Sequence, residues 1–280
     1  MSELKAKDYK SDNKPVWCPR CGDYGLLSAL YKTFELMQQP RHETVLVSGI
    51  GCSSRIPGYV NTYGFHGVHG RLLPVAMGIK MANPRLKVIG IGGDGDGLAI
   101  GLGHFMHAAR RNLDVLYILL DNNIYGLTKG QSSPTTQLQH RTKSNPHHID
   151  GAPMNPVPMA LTAGASFVAR VFTGNMQHMM QVLPQAFQHK GFSFVHALSP
   201  CTVFHDTYKL YFDKVRELPE SHSAVDKYSA IQLGASESPI YSGVFYQQSG
   251  ETFMDRVDAV WNSHRDEDTS ITSIAKQWSR

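Results

Sequence analysis

The chain lacks any apolar run long enough to cross a bilayer, and no positively charged start leads into an apolar core. Its opening stretch Met1–Lys14 is polar and lysine-rich, so a cytoplasmic protein without a membrane partner is expected. Strong charge is missing as well. A net +4 spread over 280 residues gives no basic footprint for nucleic acid, and it suits acidic substrates and an acidic electron carrier instead. With only four cysteines, structural disulfides are not expected in a cytoplasmic chain. No internal repeat is evident. The 41% hydrophobic content is enough for one large α/β domain, or a domain with an appendage.

What is present centres on residues 93–123. Gly93-Asp94-Gly95-Asp96-Gly97 follows an apolar run, Lys87–Ile91, and Asp121-Asn122-Asn123 follows a second, Asp114–Leu120. Both runs read as buried parallel strands with a helix between them. The two polar clusters therefore fall at the carboxyl ends of neighbouring strands, where open α/β sheets bind ligands. A carboxylate at one strand end and an amide at the next are hard oxygen ligands for Mg2+, which can in turn hold a diphosphate. Glycines around Asp94 allow close backbone approach, and the following helix offers its positive end.

Three rival readings compete. Gly90-x-Gly92-x-x-Gly95 also spells the dinucleotide fingerprint of a nicotinamide-dependent dehydrogenase. However, Asp94 and Asp96 would repel a pyrophosphate unless a cation lay between them. An EF-hand fails because no glutamate follows at the required spacing. A glycine-rich turn with solvated carboxylates is the bland alternative.

The cysteines are arranged as Cys18-x2-Cys21, then Cys52 and Cys201 as singletons. Four soft thiolates suit iron–sulfur or zinc, although zinc ribbons usually pair two close knuckles. A thioredoxin motif would need a strand and crossover ahead of Cys18, and too few residues precede it. Cys52 and Cys201 could each be ordinary buried cysteines. Yet both follow expected strands, Thr44–Ser48 and Phe192–Ala197, which puts them on the same rim as the metal site.

Along the chain, helical periodicity covers Gly25–Gln39, Arg71–Met81, Leu98–Arg111, Met159–Ala163 and Met176–Lys190, with a further strand at Ser166–Val171. His104 and His107 share a helix face but have no third ligand in view, so a partly buried face is favoured over a metal site. Residues 122–156 form a long loop without periodicity, a length that is usually functional. Short helices are expected at Leu210–Leu218 and Asp226–Leu233. Glu251–Arg280 reads as a charged tail that packs subunits together, or as solvated chain over its last residues.

Gly-Asp-Gly followed after 26 residues by Asn122-Asn123 resembles the signature of thiamine diphosphate enzymes. Trp17-Cys18-Pro-Arg-Cys21-Gly22, Gly49-Ile-Gly-Cys52-Ser53, His66-Gly-Val-His69-Gly-Arg71 and Tyr125-Gly-Leu-Thr-Lys129-Gly-Gln131-Ser-Ser-Pro-Thr-Thr136 are similar to the β subunit of 2-oxoacid:ferredoxin oxidoreductases. The resemblance spans roughly residues 15 to 201 in consistent order. It implies a thiamine diphosphate-binding fold of the PP type, a mostly parallel sheet with helices on both faces. Residues 1–202 would form that domain and residues 203–280 an appendage packing on it or on a partner subunit.

It further implies Mg2+ held by Asp94, Asn122 and the backbone carbonyl of Ile124, with the cofactor also touching Gly51, Cys52, Ser53, His69, Gly93, Gly95, Asp96, Leu127 and Thr128. One [4Fe-4S] cluster would be held by Cys18, Cys21, Cys52 and Cys201. His69 and Arg71 would line the cofactor and substrate pocket, while Leu127 and Lys129 would help set substrate preference. The chain carries no second α/β unit for the aminopyrimidine ring, so the activating glutamate would come from a separate α subunit, in an (αβ)2 assembly. The activity implied is reversible oxidative decarboxylation of a 2-oxoacid, with the acyl group passing to coenzyme A and electrons to ferredoxin. The overall pattern looks closest to the 2-oxoglutarate subgroup. A pyruvate enzyme and a non-oxidative thiamine diphosphate-dependent decarboxylase stand as alternatives.

Overall fold

The computed structural model describes residues 3–142, 144–147, 151–265 and 270–279. Its strands are β1 (Thr44–Ser48), β2 (Tyr63–His66), β3 (Lys87–Gly93), β4 (Leu116–Asp121), β5 (Phe167–Phe172), β6 (Ser193–Leu198), β7 (Val215–Glu217) and β8 (Ile240–Gln247). Its helices are α1 (Asp23–Met37), α2 (Leu72–Ala82), α3 (Asp94–Leu98), α4 (Leu102–Arg110), α5 (Pro156–Ala163), α6 (Met176–Gln188), α7 (Tyr208–Lys214), α8 (Lys227–Ala235), α9 (Phe253–Ser263) and α10 (Ile271–Trp278). Among the described residues the strands form one eight-stranded sheet in the order β2-β1-β3-β4-β6-β5-β8-β7. It is parallel throughout except where β8 runs antiparallel to β5.

The central strands bury both faces, which explains their continuous apolar runs. In β4, Leu116, Ile118 and Leu120 pack with α1 and α6 on one side. Tyr117 and Leu119 pack on the other side with α2, α4, α5 and α8. That second layer has an aromatic centre: Phe105 of α4 is fully buried, with ring centroids 4.9 Å from Phe194 and 5.7 Å from Tyr117. Phe105→Ala would open a cavity there and is expected to cost about 3–5 kcal/mol of stability. The shift of the urea unfolding midpoint measures it.

The expected elements are present with ends displaced by a few residues, and three differences have physical causes. The helix expected over Leu98–Arg111 starts later, as α4, and the Asp94–Gly97 turn ahead of it is itself a short helix, α3, with residues 99–101 breaking the two apart. The break accommodates the turn before α2, because a Cβ on Gly70 would lie 2.6 Å from the Gly101 nitrogen and 2.5 Å from the Ile100 side chain. Second, Tyr59–His69 holds β2, an edge strand whose four residues are all exposed, so no burial alternation marks it. Third, the expected helix Leu210–Leu218 is α7 followed by β7, and β7 and β8 extend the sheet beyond β5. Part of the stretch beyond residue 202 is thus built into the sheet. In the tail, α9 starts on a capping box between Thr252 and Asp255, and α10 ends with Trp278 exposed. Lys143, residues 148–150 of the long loop and 266–269 and 280 of the tail lie outside the described residues.

Candidate active site

Because β1, β3, β4 and β6 are parallel neighbours, their carboxyl ends share one rim. Four loops meet there: Gly49–Ser53 after β1, Asp94 at the end of β3, Asn122–Ile124 after β4, and Cys201 shortly after β6. Every residue expected to bind cofactor lines one small cleft of about 60 Å³, together with Ile50, Tyr125 and Gly126. Nothing in the sequence motifs singles out Tyr125 for a role of its own. Its ring closes over Gly95, where a Cβ would come within 2.4 Å of it, and its hydroxyl donates to the Gly95 carbonyl at 3.0 Å.

Two aspartates share the glycine-rich turn but have different tasks. Asp96 is a clamp: its Oδ1 accepts from the Ile50 and Gly70 backbone N–H groups at 3.1 and 2.7 Å and from His69 Nδ1 at 3.0 Å. A carboxylate only accepts, so His69 carries its proton on Nδ1 and presents Nε2 elsewhere. Asp94 is buried, and its Oδ2 stands 2.8 Å from the Thr135 hydroxyl oxygen, which lies 2.7 Å from Asp121 Oδ1 as well. Burial, reinforced by the neighbouring Asp121 charge, holds the Asp94 carboxyl well above the usual carboxylate range. A cation beside it would restore the ionised form. Across the cleft, Asn122 Oδ1 accepts from the Ile124 N–H at 3.1 Å, which fixes the oxygen end of the carboxamide and leaves its second lone pair unused by that bond. A carboxylate, a carboxamide oxygen and a backbone carbonyl fit a hard divalent ion.

Two residues assigned to substrate stand apart from this lining. Arg71, at the entry to α2, donates to the carbonyls of His69 and Ile100, both at 3.4 Å. Lys129 is exposed on the tight turn Tyr125–Gln131, at a left-handed φ of 74°. Leu127, on the same turn, lines the cleft and is 49% exposed. Of the histidine pair on α4, His104 is half-buried and His107 exposed.

The cysteine loops are stitched together from three directions. Trp17 Nε1 donates to the Cys52 carbonyl at 2.8 Å, the Gly22 N–H to the Pro200 carbonyl at 3.1 Å, and Thr202 Oγ1 to the Pro19 carbonyl at 3.0 Å. A Cβ on Gly126 would lie 3.7 Å from both Cys52 and Cys201 Sγ, so the two thiols are near neighbours, and of the pair only Cys52 lines the cleft. Cys18 is exposed and the other three are partly buried. Burial, Asp23 and the neighbouring thiols Cys201 and Cys18 push the Cys52 thiol up to about 12. Burial, Asp23 and the Cys52 and Cys201 thiols likewise raise Cys21. Thiols that oppose one another's ionisation suit a shared positive centre. Among the described residues, no three His, Cys, Asp or Glu side chains stand close enough to hold a single metal ion.

Residues 49–197 match the family described as "Thiamine pyrophosphate enzyme, C-terminal TPP binding domain". Residues 201–261 match the family of the C-terminal part of the pyruvate ferredoxin oxidoreductase beta subunit. The 2-oxoacid:ferredoxin oxidoreductase β subunit of Saccharolobus solfataricus is 42% identical, covering 82% of this chain and 81% of its own. The chain is a β subunit of the 2-oxoacid:ferredoxin oxidoreductase family. These β subunits include the 2-oxoglutarate synthase subunit KorB of Archaeoglobus fulgidus, 36% identical over 87% of this chain and 88% of that one. A solved 2-oxoglutarate:ferredoxin oxidoreductase from Magnetococcus marinus, with 2-oxoglutarate, coenzyme A and succinyl-CoA bound, superposes with a TM-score of 0.94. It is 36% identical and covers 100% of this chain and 97% of its own. The dehydrogenase reading of Gly90-x-Gly92-x-x-Gly95 is overturned by this membership: Gly90 and Gly92 lie in β3 and Gly95 in α3 of a thiamine diphosphate-type domain.

One part of the site has no counterpart in the sequence motifs. On the far side of the β4 strand end, a buried polar chain reaches from Arg170 on β5 through His196 on β6 to Asp121. Arg170 and His196 are register partners in the sheet. The available signal was a charged or titratable residue standing in the middle of each of two buried strands, Phe-Val-Ala-Arg-Val-Phe and Ser-Phe-Val-His-Ala-Leu.

Proposed function

We propose that this chain is the cofactor-bearing half of an enzyme that converts 2-oxoglutarate and coenzyme A to succinyl-CoA and CO2, passing electrons to ferredoxin, and that it can run in reverse. The observation that carries the reading is the cleft at the ends of β1, β3 and β4, which gathers the Gly51–Ser53 turn, Asp94, Asn122 and Ile124. Asp94, Asn122 and the Ile124 carbonyl would hold Mg2+, and the backbone of the Gly51–Ser53 turn would face the diphosphate. Bound thiamine diphosphate supplies an electron sink for the carbanion left when a 2-oxoacid loses CO2. A [4Fe-4S] cluster on Cys18, Cys21, Cys52 and Cys201 would supply one-electron transfer from the same rim, with Cys18 on the exposed side.

The chain's own residues position and neutralise. Asp96 holds His69 with its Nδ1 proton directed away from the substrate, so Nε2 is free to accept or carry a proton. Arg71 and Lys129 would turn toward a substrate carboxylate when the site is completed. The cleft of about 60 Å³ lies far below the roughly 300–1,000 Å³ of a usual small-molecule site, which supports its completion by an α subunit. An (αβ)2 assembly in the cytoplasm, with residues 203–280 also packing on the partner, rounds out the reading. Among the described residues no helix is long and apolar enough to cross a membrane.

The test is a panel of 2-oxoglutarate, pyruvate, branched-chain and aryl 2-oxoacids, with viologen or ferredoxin reduction, on the chain co-expressed with its α subunit. The expected kcat/KM for 2-oxoglutarate exceeds that for pyruvate by about tenfold or more, because a site built for a second carboxylate leaves buried polar groups unpaired without it. Preference for pyruvate would overturn the substrate assignment, and CoA-independent turnover would favour the non-oxidative decarboxylase.

A further inference from the structure

The buried chain behind the strand end ends at the candidate metal loop. Arg170 Nε donates to His196 Nδ1 at 3.0 Å, which fixes that nitrogen as an acceptor and puts the ring proton on Nε2. Nε2 then donates to Asp121 Oδ2 at 2.8 Å. The remaining guanidinium contacts, Tyr241 O, Asn155 Oδ1 and Gly234 O, are all neutral acceptors. The carboxylate that balances Arg170 is therefore Asp121, reached through a neutral imidazole.

Asp121 Oδ1 in turn accepts from the Asn123 backbone N–H at 3.0 Å, from Asn123 Nδ2 at 2.9 Å and from Thr135 Oγ1 at 2.7 Å. Asn123 sits at a left-handed φ of 57°, a conformation that costs a non-glycine residue energy unless its surroundings hold it. Two more bonds hold it: the Tyr211 hydroxyl donates to Asn123 Oδ1 at 2.8 Å, and Thr136 Oγ1 donates to the Asn123 carbonyl at 2.6 Å. All of these side chains are buried. Asn123 lies between Asn122 and Ile124, so its left-handed turn decides where the carboxamide of one and the carbonyl of the other point.

We propose that Arg170, His196, Asp121 and Tyr211 are positioning residues that lock the left-handed turn at Asn123 and so aim Asn122 and Ile124 at the divalent ion. The inference rests on the reading that this loop carries Mg2+ and thiamine diphosphate. Its force lies in pre-organisation, the role that partners behind a metal's own ligands play.

The experiment uses the αβ complex. Mg2+ is titrated calorimetrically at saturating thiamine diphosphate, alongside steady-state kinetics, for His196→Leu, His196→Gln and Tyr211→Phe. His196→Leu is expected to raise the Mg2+ dissociation constant by about 10- to 100-fold, and Tyr211→Phe by several-fold. At saturating Mg2+, kcat stays within about twofold of wild type, so the loss appears in affinity. His196→Gln, which can still donate to Asp121, recovers most of the affinity. Should the leucine variant fail to fold, Tyr211→Phe, which removes one hydroxyl, carries the same test. Unchanged Mg2+ affinity in the folded variants, a fall in kcat alone, or a glutamine variant as weak as leucine each overturns the inference while the cofactor reading stands. A wild-type complex with no Mg2+-dependent binding of thiamine diphosphate overturns both.

Discussion

Asp94→Ala is expected to abolish Mg2+-dependent binding of thiamine diphosphate, and activity with it. The loss should exceed the roughly 100-fold that partners behind the metal's ligands account for. The reason lies in the burial of Asp94 and its shared hydroxyl. Thr135 Oγ1 lies 2.8 Å from Asp94 Oδ2 and 2.7 Å from Asp121 Oδ1, and a single hydroxyl proton cannot serve two carboxylates. Asp121 already has His196 and Asn123, so Asp94 is the carboxylate whose charge awaits a cation. Alanine removes that charge and the ligand together. Calorimetry of thiamine diphosphate binding with and without Mg2+, on the αβ complex, reads the effect. Retained Mg2+-dependent binding would show that the diphosphate is held elsewhere on the rim.

The second large effect is expected at Cys201. Cys201→Ala should cost the preparation its iron and the broad absorbance of an iron–sulfur protein, and reduction of ferredoxin or viologen should fall to background. Thiamine diphosphate binding should survive, because Cys201 does not line the cofactor cleft. That separation is what makes the variant informative. Cys52 borders both the cleft and the thiol set, so its substitution would confound the two. Metal analysis together with the visible spectrum checks the outcome. A colourless, zinc-loaded wild-type protein would instead support a structural cysteine set and a non-oxidative enzyme.

That the expected cofactor residues meet in one candidate cleft was legible because its parts are local in sequence: each cluster directly follows a short apolar strand, and parallel strands deliver their ends to one rim. Asp94 and Asn122 can be paired from sequence alone for that reason. The long-range thiols were legible only as singletons after strands, and family motifs joined them. Other features stayed hidden for physical reasons. In β2, Tyr63-Gly-Phe-His is exposed along its whole length, so it carries none of the alternation that identifies a half-buried strand. The apolar pattern of β8 is interrupted by Ser242 and Gly243, and its pairing with β5 joins residues between 73 and 80 positions apart. The late start of α4 stayed hidden because residues 100 and 101 serve a close approach from Gly70, which no local pattern announces. Arg170 and His196 each look like a misplaced polar residue until the register of β5 and β6 sets them side by side.

The outermost strand bears on how this polypeptide must be handled. Tyr63–His66 offers one row of backbone amides and carbonyls to β1, and its outer row faces away from the sheet, flanked by the apolar surfaces of Tyr63, Phe65 and Val68. Such a margin is a template on which another extended segment can polymerise. Left open, that margin lets copies of the protein pair edge to edge, so its solubility depends on what covers the strand.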